Sequence, residues 1–478
     1  AARGRWRSVG RAALAPVLAF AAFGAWALAS PVASGPDDDF HLVSVWCALD
    51  GSAYCAPGRS EATRVVPQSL IEMTCFVGVA ERSAGCQEVV LDVWGEVDVE
   101  TARGNFVREY PAVHYAFMRL FAGEDVEFSV VAMRLVNAAL FVGLATALYA
   151  LLPIHRRQTL LWGWLVTLVP LGMFIIPSNN PSAWAITGVG TAFLALLGWF
   201  ETSGRRRWAL GALYLLAVVI AAGARADAAV YVGGATIVVL ILTFMRRRPW
   251  LLRAGLAGAG LALAAGLFAT ARQGAVGMDG FSGGESVSGA DVIIQSPMAL
   301  AAYNLLMLPF LWTGVWGTWA LGWFDVQLPA IVPWSAASAF IVVAFAGLGR
   351  LDLRKAIAAA GVLLALVVIP VYVLTAGGDQ VGTQLQPRYI LPIIVLFALT
   401  LVYMPRGARG LRFTRLQTFA ILGALALANL VSMQVNIRRY VTGVERQGPN
   451  LDAGAEWWWH GMPVGPTAVW AIGSLAFA

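Results

Sequence analysis

The sequence predicts an all-α polytopic membrane protein, and three observations carry that prediction. Charged residues make up 13% of the chain, against roughly 25% in soluble domains, and the mean hydropathy is +0.71. Apolar runs long enough to cross a hydrocarbon core about 30 Å thick recur along the whole chain. Basic residues collect in alternate connections between those runs, the pattern that cytoplasmic loops impose.

The runs lie near 12–29, 130–152, 160–176, 183–200, 209–222, 229–245, 254–269, 330–349, 356–375, 390–404 and 419–435, which gives about eleven spans. A partial twelfth begins near Thr467 and reaches Ala478, so the bundle is expected to hold 11–12 membrane helices and the native chain to continue. The absence of an initiator Met suggests an edited start. The first run also satisfies a secretory signal, with an Arg-rich lead and the small triplet Ala27-Leu28-Ala29. The reading adopted is a retained helix.

Orientation follows from the basic connections. Arg3 to Arg11, Arg156 with Arg157, Arg205 to Arg207, Arg246 to Arg253, Arg350 to Lys355, and Arg406 to Arg415 hold 20 of the 33 Lys and Arg. These segments are expected to be cytoplasmic, with the N-terminus inside. The apolar run Leu305 to Phe324 would break the alternation if it crossed. It is read as an interfacial or re-entrant helix within an outer segment 272–329, with Trp312, Trp316, Trp319 and Trp323 suited to headgroup depth.

The chain reads as one membrane domain, 1–478, with a large outer loop at 31–128. That loop holds 16 of the 27 acids against six Arg. The net charge of +6 and pI of 9.3 therefore express the positive-inside bias rather than affinity for nucleic acid. No inverted repeat of the kind many transporters carry is visible.

All four cysteines, Cys47, Cys55, Cys75 and Cys86, fall in this loop. An even set in one extracytoplasmic segment reads as two disulfides. Of three connectivities, Cys47 with Cys55 and Cys75 with Cys86 is favoured, because short loops close more readily. A zinc site is the rival, without a Cys-x-x-Cys spacing to support it.

The strongest candidate site is Gly35-Pro36-Asp37-Asp38-Asp39-Phe40-His41, directly after the first span. Carboxylates at a membrane boundary need water, a cation or a reacting ligand to offset their desolvation, so they are functional suspects. A divalent cation near Asp37 and Asp38 is one such partner. Arg388, in Gln386-Pro387-Arg388-Tyr389, sits at the outer mouth of a span where the charge bias predicts no Arg, and a guanidinium there can hold a phosphate bidentately. Lipid-headgroup anchoring is its bland alternative. His41 is singled out by its place after the acids, whereas His155 and His460 read as interface residues. Asn179 and Asn180 read either as partners for substrate hydroxyls or as a cap for the next helix. Arg225 and Asp227 read as a local ion pair, and Tyr110 to Leu120 as the start of an amphipathic helix at the interface.

Pro36-Asp37-Asp38 with His41, Tyr110-Pro111, Ser178-Asn179-Asn180-Pro181, Arg225-x-Asp227, Gly322-Trp323-Phe324-Asp325 with Leu328-Pro329, Gln386-Pro387-Arg388-Tyr389 with Leu391-Pro392, and Arg438-Arg439-Tyr440 run in order along nearly the whole chain. This ordered set resembles an actinobacterial family of multi-pass proteins catalogued as a domain of unknown function. That family in turn looks like the GT-C superfamily of glycosyltransferases, which use polyprenyl-phosphate sugars. The resemblance implies a GT-C-like bundle and a catalytic carboxylate in the first outer loop, where Asp37 and Asp38 match by position. Asp38 stands where Glu is usual and Asp39 where Pro is usual, so the choice of acid stays open between Asp37 and Asp38. The chemistry of transfer from a lipid phosphate adds Arg388, with Arg225, at the departing phosphate, and His41, Asn179, Asn180 and Tyr389 are the further candidates for substrate binding. The expected partners are a polyprenyl-phosphate sugar, a cell-envelope glycan or lipid acceptor, and membrane lipids. The alternatives are a lipid-linked glycan transporter or flippase and an envelope-assembly scaffold.

Overall fold

The computed structural model describes residues 2–49, 53–272, 296–405 and 410–478. Asp50, Arg406, Arg409 and the stretch 273–295 of the expected outer segment lie outside the described residues. Eighteen α-helices and a three-stranded antiparallel sheet account for the regular structure described, and nearly every buried apolar side chain from Ala22 to Val469 joins one continuous core.

The chain opens with α1 (Ala2–Leu28). Loop 31–128 then carries α2 (Asp38–Trp46), β1 (Ala56–Pro57), β2 (Arg64–Pro67), α3 (Gln68–Glu72), α4 (Gln87–Asp92), β3 (Asp98–Thr101) and α5 (Val113–Met118). The bundle continues with α6 (Val126–Leu151), α7 (Ile154–Leu168), α8 (Leu171–Ile175), α9 (Ser182–Glu201), α10 (Gly204–Ala222), α11 (Ala226–Thr243) and α12 (Arg248–Phe268). It closes with α13 (Pro297–Thr313), α14 (Ile331–Leu348), α15 (Leu353–Gly377), α16 (Pro387–Val402), α17 (Arg415–Thr442) and α18 (Pro466–Phe477). Among the described residues eight helices are long and apolar enough to cross a membrane, and Leu14–Leu28, α16 and α18 are shorter apolar helices. The chain is a multi-pass membrane protein.

Each expected run falls on a helix, with one difference. The run 160–176 is broken into α7 and α8 at Val169-Pro170. Proline has no N–H to offer and disfavours helix in the residue before it. The break lets α8 turn inward beneath loop 31–128 as part of the site described below.

Helix α9 is buried over its whole apolar length and forms the axis of the bundle. Its small residues allow this, since a side chain at Gly188 would collide with the α10 backbone at Ala217 and Ala221. Helix α1 packs between α6 and α18, with Phe23 and Trp26 buried. Arg134 of α6 wraps the chain that follows, donating to the carbonyls of Ala27, Ser30 and Pro31. The first helix is therefore an integral part of the fold.

Contacts define two faces. On one, Arg156 donates to Glu201 and to the carbonyl of Met404, Arg253 donates to the carbonyl of Phe200, and Lys355 donates to that of Gly347. These basic connections share one end of the bundle. Loop 31–128 caps the other. The disulfides Cys47–Cys55 and Cys75–Cys86 form the favoured pairing, and β2 pairs with both β1 and β3, Val65 opposite Ala56 and Glu100. Arg439 of α17 fastens the loop to the bundle, donating to Asp325 and to the carbonyls of Phe76, Val79 and Arg82.

Helix α13 starts near this loop face, and the segment after it returns there. Asn304 bonds the backbone at Asp379 and Val381 just beyond the end of α15, Trp312 reaches the carbonyl of Leu366 halfway down α15, and Trp323 returns to the carbonyl of Ala33. The segment descends beside α15, turns at Gly314 to Gly317, and comes back to the site.

Candidate functional site

The turn after α1 is built to present carboxylates. Gly35 N–H donates to Asp38 Oδ2 at 2.8 Å, Asp38 N–H donates to the Gly35 carbonyl, and the Asp37 carbonyl accepts from Phe40 and His41. Asp37 takes a left-handed conformation, φ 61°, which a short polar side chain tolerates better than most. A Cβ at Gly35 would meet the Asp38 carboxyl at 2.8 Å, so the glycine is required for the closure.

These constraints give the three acids different environments. Asp37 stays one-third exposed and meets Arg388 Nη2 at 2.5 Å and Arg103 Nη2 at 3.3 Å. Asp39 takes both Nε and Nη2 of Arg103. Asp38 is fully buried and its Oδ1 has no partner. Burial pushes the Asp37 carboxyl up, but the guanidiniums of Arg388 and Arg103 together with His41 outweigh it and hold it below its ordinary value. Burial raises the Asp38 carboxyl to about 7, against Arg134 and the Gly35 N–H.

Arg388 is placed by the start of α16, where Pro387 occupies the first turn and needs no hydrogen-bond acceptor. Its Nη2 serves both Asp37 and the Tyr389 hydroxyl, while Nε and Nη1 are buried without a partner. Arg225 lies 4.5 Å from the Tyr389 ring centre and 5.5 Å from that of Tyr110, with its charge matched bidentately by Asp227. Tyr389 therefore stacks between two guanidiniums.

A narrow cleft of about 20 Å³, room for about one water, lies beside Arg388 between α8, the returning segment after α13 and the start of α16. Its wall includes Phe174, Ile175, Trp319, Leu321 and Phe324, with Gln386 and Arg388 as polar members. Gln386 Oε1 is buried without a partner, like the two Arg388 nitrogens. Unpaired buried polar groups are rare and costly in a folded protein, and here three atoms from two adjacent side chains share that condition. The arrangement offers free donors to an anion at the guanidinium, beside a narrow, mostly apolar wall.

The other sequence-selected residues support this centre without lining the cleft. His41 is buried, with Nδ1 2.9 Å from the Tyr115 hydroxyl, and burial holds its pKa well below the ordinary value. Asn180 donates to the Pro36 carbonyl and accepts from Ser182 N–H, so it caps α9 and anchors the acidic turn. Asn179 is buried against Met133 with its Oδ1 unpartnered. Asn180 thus follows the capping alternative, whereas Asn179 keeps a free oxygen. His155 and His460 are exposed and each faces a carboxylate.

Metal binding was weighed on the donor set. Among the described residues no group of three or more His, Cys, Asp or Glu is arranged to hold an ion. Both oxygens of Asp37 accept from guanidiniums, and one oxygen of Asp38 accepts from backbone. These residues do not fit a divalent cation, and no step is derived through one.

Sequence reasoning missed Arg103 and Arg134, and it named Asp325 in a motif without a role. Arg103 lies in an irregular stretch of the loop and carries no local signal. Arg134 is an ionisable residue inside an apolar run and could have been flagged on that ground. Asp325 pairs with Arg439 beneath the cleft, and its Oδ1 and the Tyr440 hydroxyl are both unpartnered.

No curated protein and no solved structure matches the chain. A family model described as "Predicted membrane protein (DUF2142)" matches residues 20–397. That match takes in the acidic turn, the α8–α9 connection, Arg225, the cleft and Arg388, and the chain belongs to this family of membrane proteins of unknown function.

Proposed function

We propose that the protein is a membrane glycosyltransferase of GT-C type, moving a sugar from a polyprenyl-phosphate donor to a cell-envelope glycan or lipid acceptor. One observation carries the reading: a buried guanidinium with two unpartnered nitrogens stands between an ionised carboxylate and an apolar cleft. The loop face is then extracytoplasmic and the N-terminus cytoplasmic, as the basic connections require.

In this account the donor phosphate binds Arg388, satisfying Nε and Nη1, and the polyprenyl chain runs from there toward the bilayer, with the narrow cleft opening as the donor binds. Asp37 is the base rather than Asp38, because it is the accessible carboxylate and Asp38 is enclosed in its own turn. Phosphate at Nε and Nη1 brings negative charge beside Asp37 and offsets the guanidinium that depresses its pKa, which leaves a stronger base. Asp37 takes the proton of the acceptor hydroxyl as its oxygen bonds to the anomeric carbon. The bond from that carbon to the phosphate oxygen breaks, and polyprenyl phosphate leaves held by Arg388.

Transport is the alternative function. Arg134 is the ionisable group embedded in α6, and it is engaged by the carbonyls of residues 27–31 rather than facing a path. In a transfer assay with polyprenyl-phosphate sugars, Asp37→Asn should lower the rate by about two to four orders of magnitude with donor binding nearly intact. Full activity in both Asp37→Asn and Asp38→Asn would remove the transferase reading.

A further inference from the structure

A second cavity lies at the opposite, basic end of the bundle, far from the acidic turn in the fold. It holds about 380 Å³ between the end of α11 and the starts of α12 and α15, within the range of ligand pockets. Its wall is Ile237, Leu240, Ile241, Phe244, Trp250 and Ile357, and its one polar lining residue is Arg354. Trp250 is fixed by its own bond to Thr243 and by stacking on Phe200, so the wall is firm.

The rim is all of one sign. Arg246, Arg247 and Arg248 form the connection between α11 and α12, between the lining residues Phe244 and Trp250, and all three are exposed together with Arg354. Among the described residues none of the four makes an ion pair. The nearest carboxylate in sequence, Asp352, caps α15 by accepting from Lys355 N–H. Lys355 itself turns inward to the Gly347 carbonyl. An apolar slot at the end of membrane helices, ringed by four unmatched guanidiniums, is complementary to a molecule with a hydrocarbon chain and an anionic head at interfacial depth.

We infer that this cavity is a binding site for one anionic phospholipid, an acyl chain lying between α11, α12 and α15 and the phosphate held by Arg354 with the Arg246–Arg248 connection. The site is independent of the transferase reading, since it shares no residue with the cleft at Arg388. Its consequence is selective retention of an acidic lipid that ties α15 to the α11–α12 hairpin.

The full chain in nanodiscs, made with equal phosphatidylglycerol and phosphatidylcholine of identical acyl chains, is released and read by native mass spectrometry. Wild type should keep one phosphatidylglycerol in preference to phosphatidylcholine. Arg354→Gln combined with Arg247→Gln should reduce that preference at least about fivefold, a loss consistent with one or two charge-assisted contacts. Ile357→Trp, which fills the slot, should remove the retained lipid whatever its head. Arg205→Gln, an exposed residue in another basic connection, should change nothing. Equal retention of the two lipids in wild type overturns the site, as does an equal loss in Arg205→Gln, which indicates general surface attraction. Preferential retention of added polyprenyl phosphate over phosphatidylglycerol also overturns it, by assigning the slot to a different lipid.

Discussion

Arg156 and Arg388 are both buried guanidiniums at helix starts, each facing a carboxylate, and they sit at opposite ends of the same bundle. Arg156 is saturated. Its Nε and Nη2 grip Glu201 bidentately, its Nη1 meets the Met404 carbonyl, and it stacks 4.0 Å over Tyr403. Its carboxylate partner is as enclosed as it is, the two side chains being 0% and 5% exposed. Arg388 uses one nitrogen, leaves two unpartnered, and faces a carboxylate that is 34% exposed. The first pair closes the bundle, whereas the second leaves hydrogen-bonding capacity open to a ligand. Chemical type and burial are alike in the two arginines; saturation separates them.

The largest effect expected from this contrast falls on stability at the basic end. Arg156→Ala leaves Glu201 charged and buried, which should cost about 3–5 kcal/mol, read as a lowered unfolding midpoint in detergent. A midpoint within error of wild type would show that saturation is no guide to structural weight. Next, replacing Cys47 and Cys55 together by Ser should cost about 2–3 kcal/mol through the unfolded chain, for a separation of 8 residues. This loosens the end of α2 and should leave the Arg156 end untouched, as amide exchange can resolve.

A pH-dependent effect separates Asp38 from Asp37. Burial lifts the Asp38 carboxyl to about 7 from its model-peptide value of 3.8, so the folded protein holds a proton that the unfolded chain releases first. Stability from this group is therefore lost as pH rises from about 4 to about 7 and is flat above. Asp38→Asn should remove that slope in midpoints measured from pH 4.5 to 8. An unchanged slope would return Asp38 to an ordinary carboxylate environment.

Much of this contrast was legible in the sequence, for identifiable reasons. The spans follow from apolar length, and α9 from its Gly, Ala and Thr content as well. Asp37 and Arg388 stood out because charges at that boundary need a partner, and Arg225 with Asp227 because a two-residue spacing brings them together. The two disulfides followed from loop length. What sequence could not give was saturation. Arg103 reaches Asp37 across 66 positions and Arg439 reaches Asp325 across 114, so neither spacing announces a pair. Nor does sequence show that Asn180 serves Pro36 and Ser182 rather than a ligand, because an Asn offers the same atoms to either. The break at Pro170 was visible as a residue, but its consequence, a short α8 forming the wall of the cleft, depends on packing.

The central claim is that Arg388 is open for a phosphate, and the most direct measurement is binding of polyprenyl monophosphate to wild type and Arg388→Ala, with the uncharged polyprenol as control. The account predicts about 10- to 100-fold weaker phosphate binding, from the loss of charge-assisted hydrogen bonds of about 1.5–3 kcal/mol. It predicts unchanged polyprenol binding and a stability change of about 1 kcal/mol or less, since Asp37 is partly exposed and keeps Arg103. Wild-type affinity for the phosphate in Arg388→Ala, or a collapse of stability like that expected of Arg156→Ala, would contradict it.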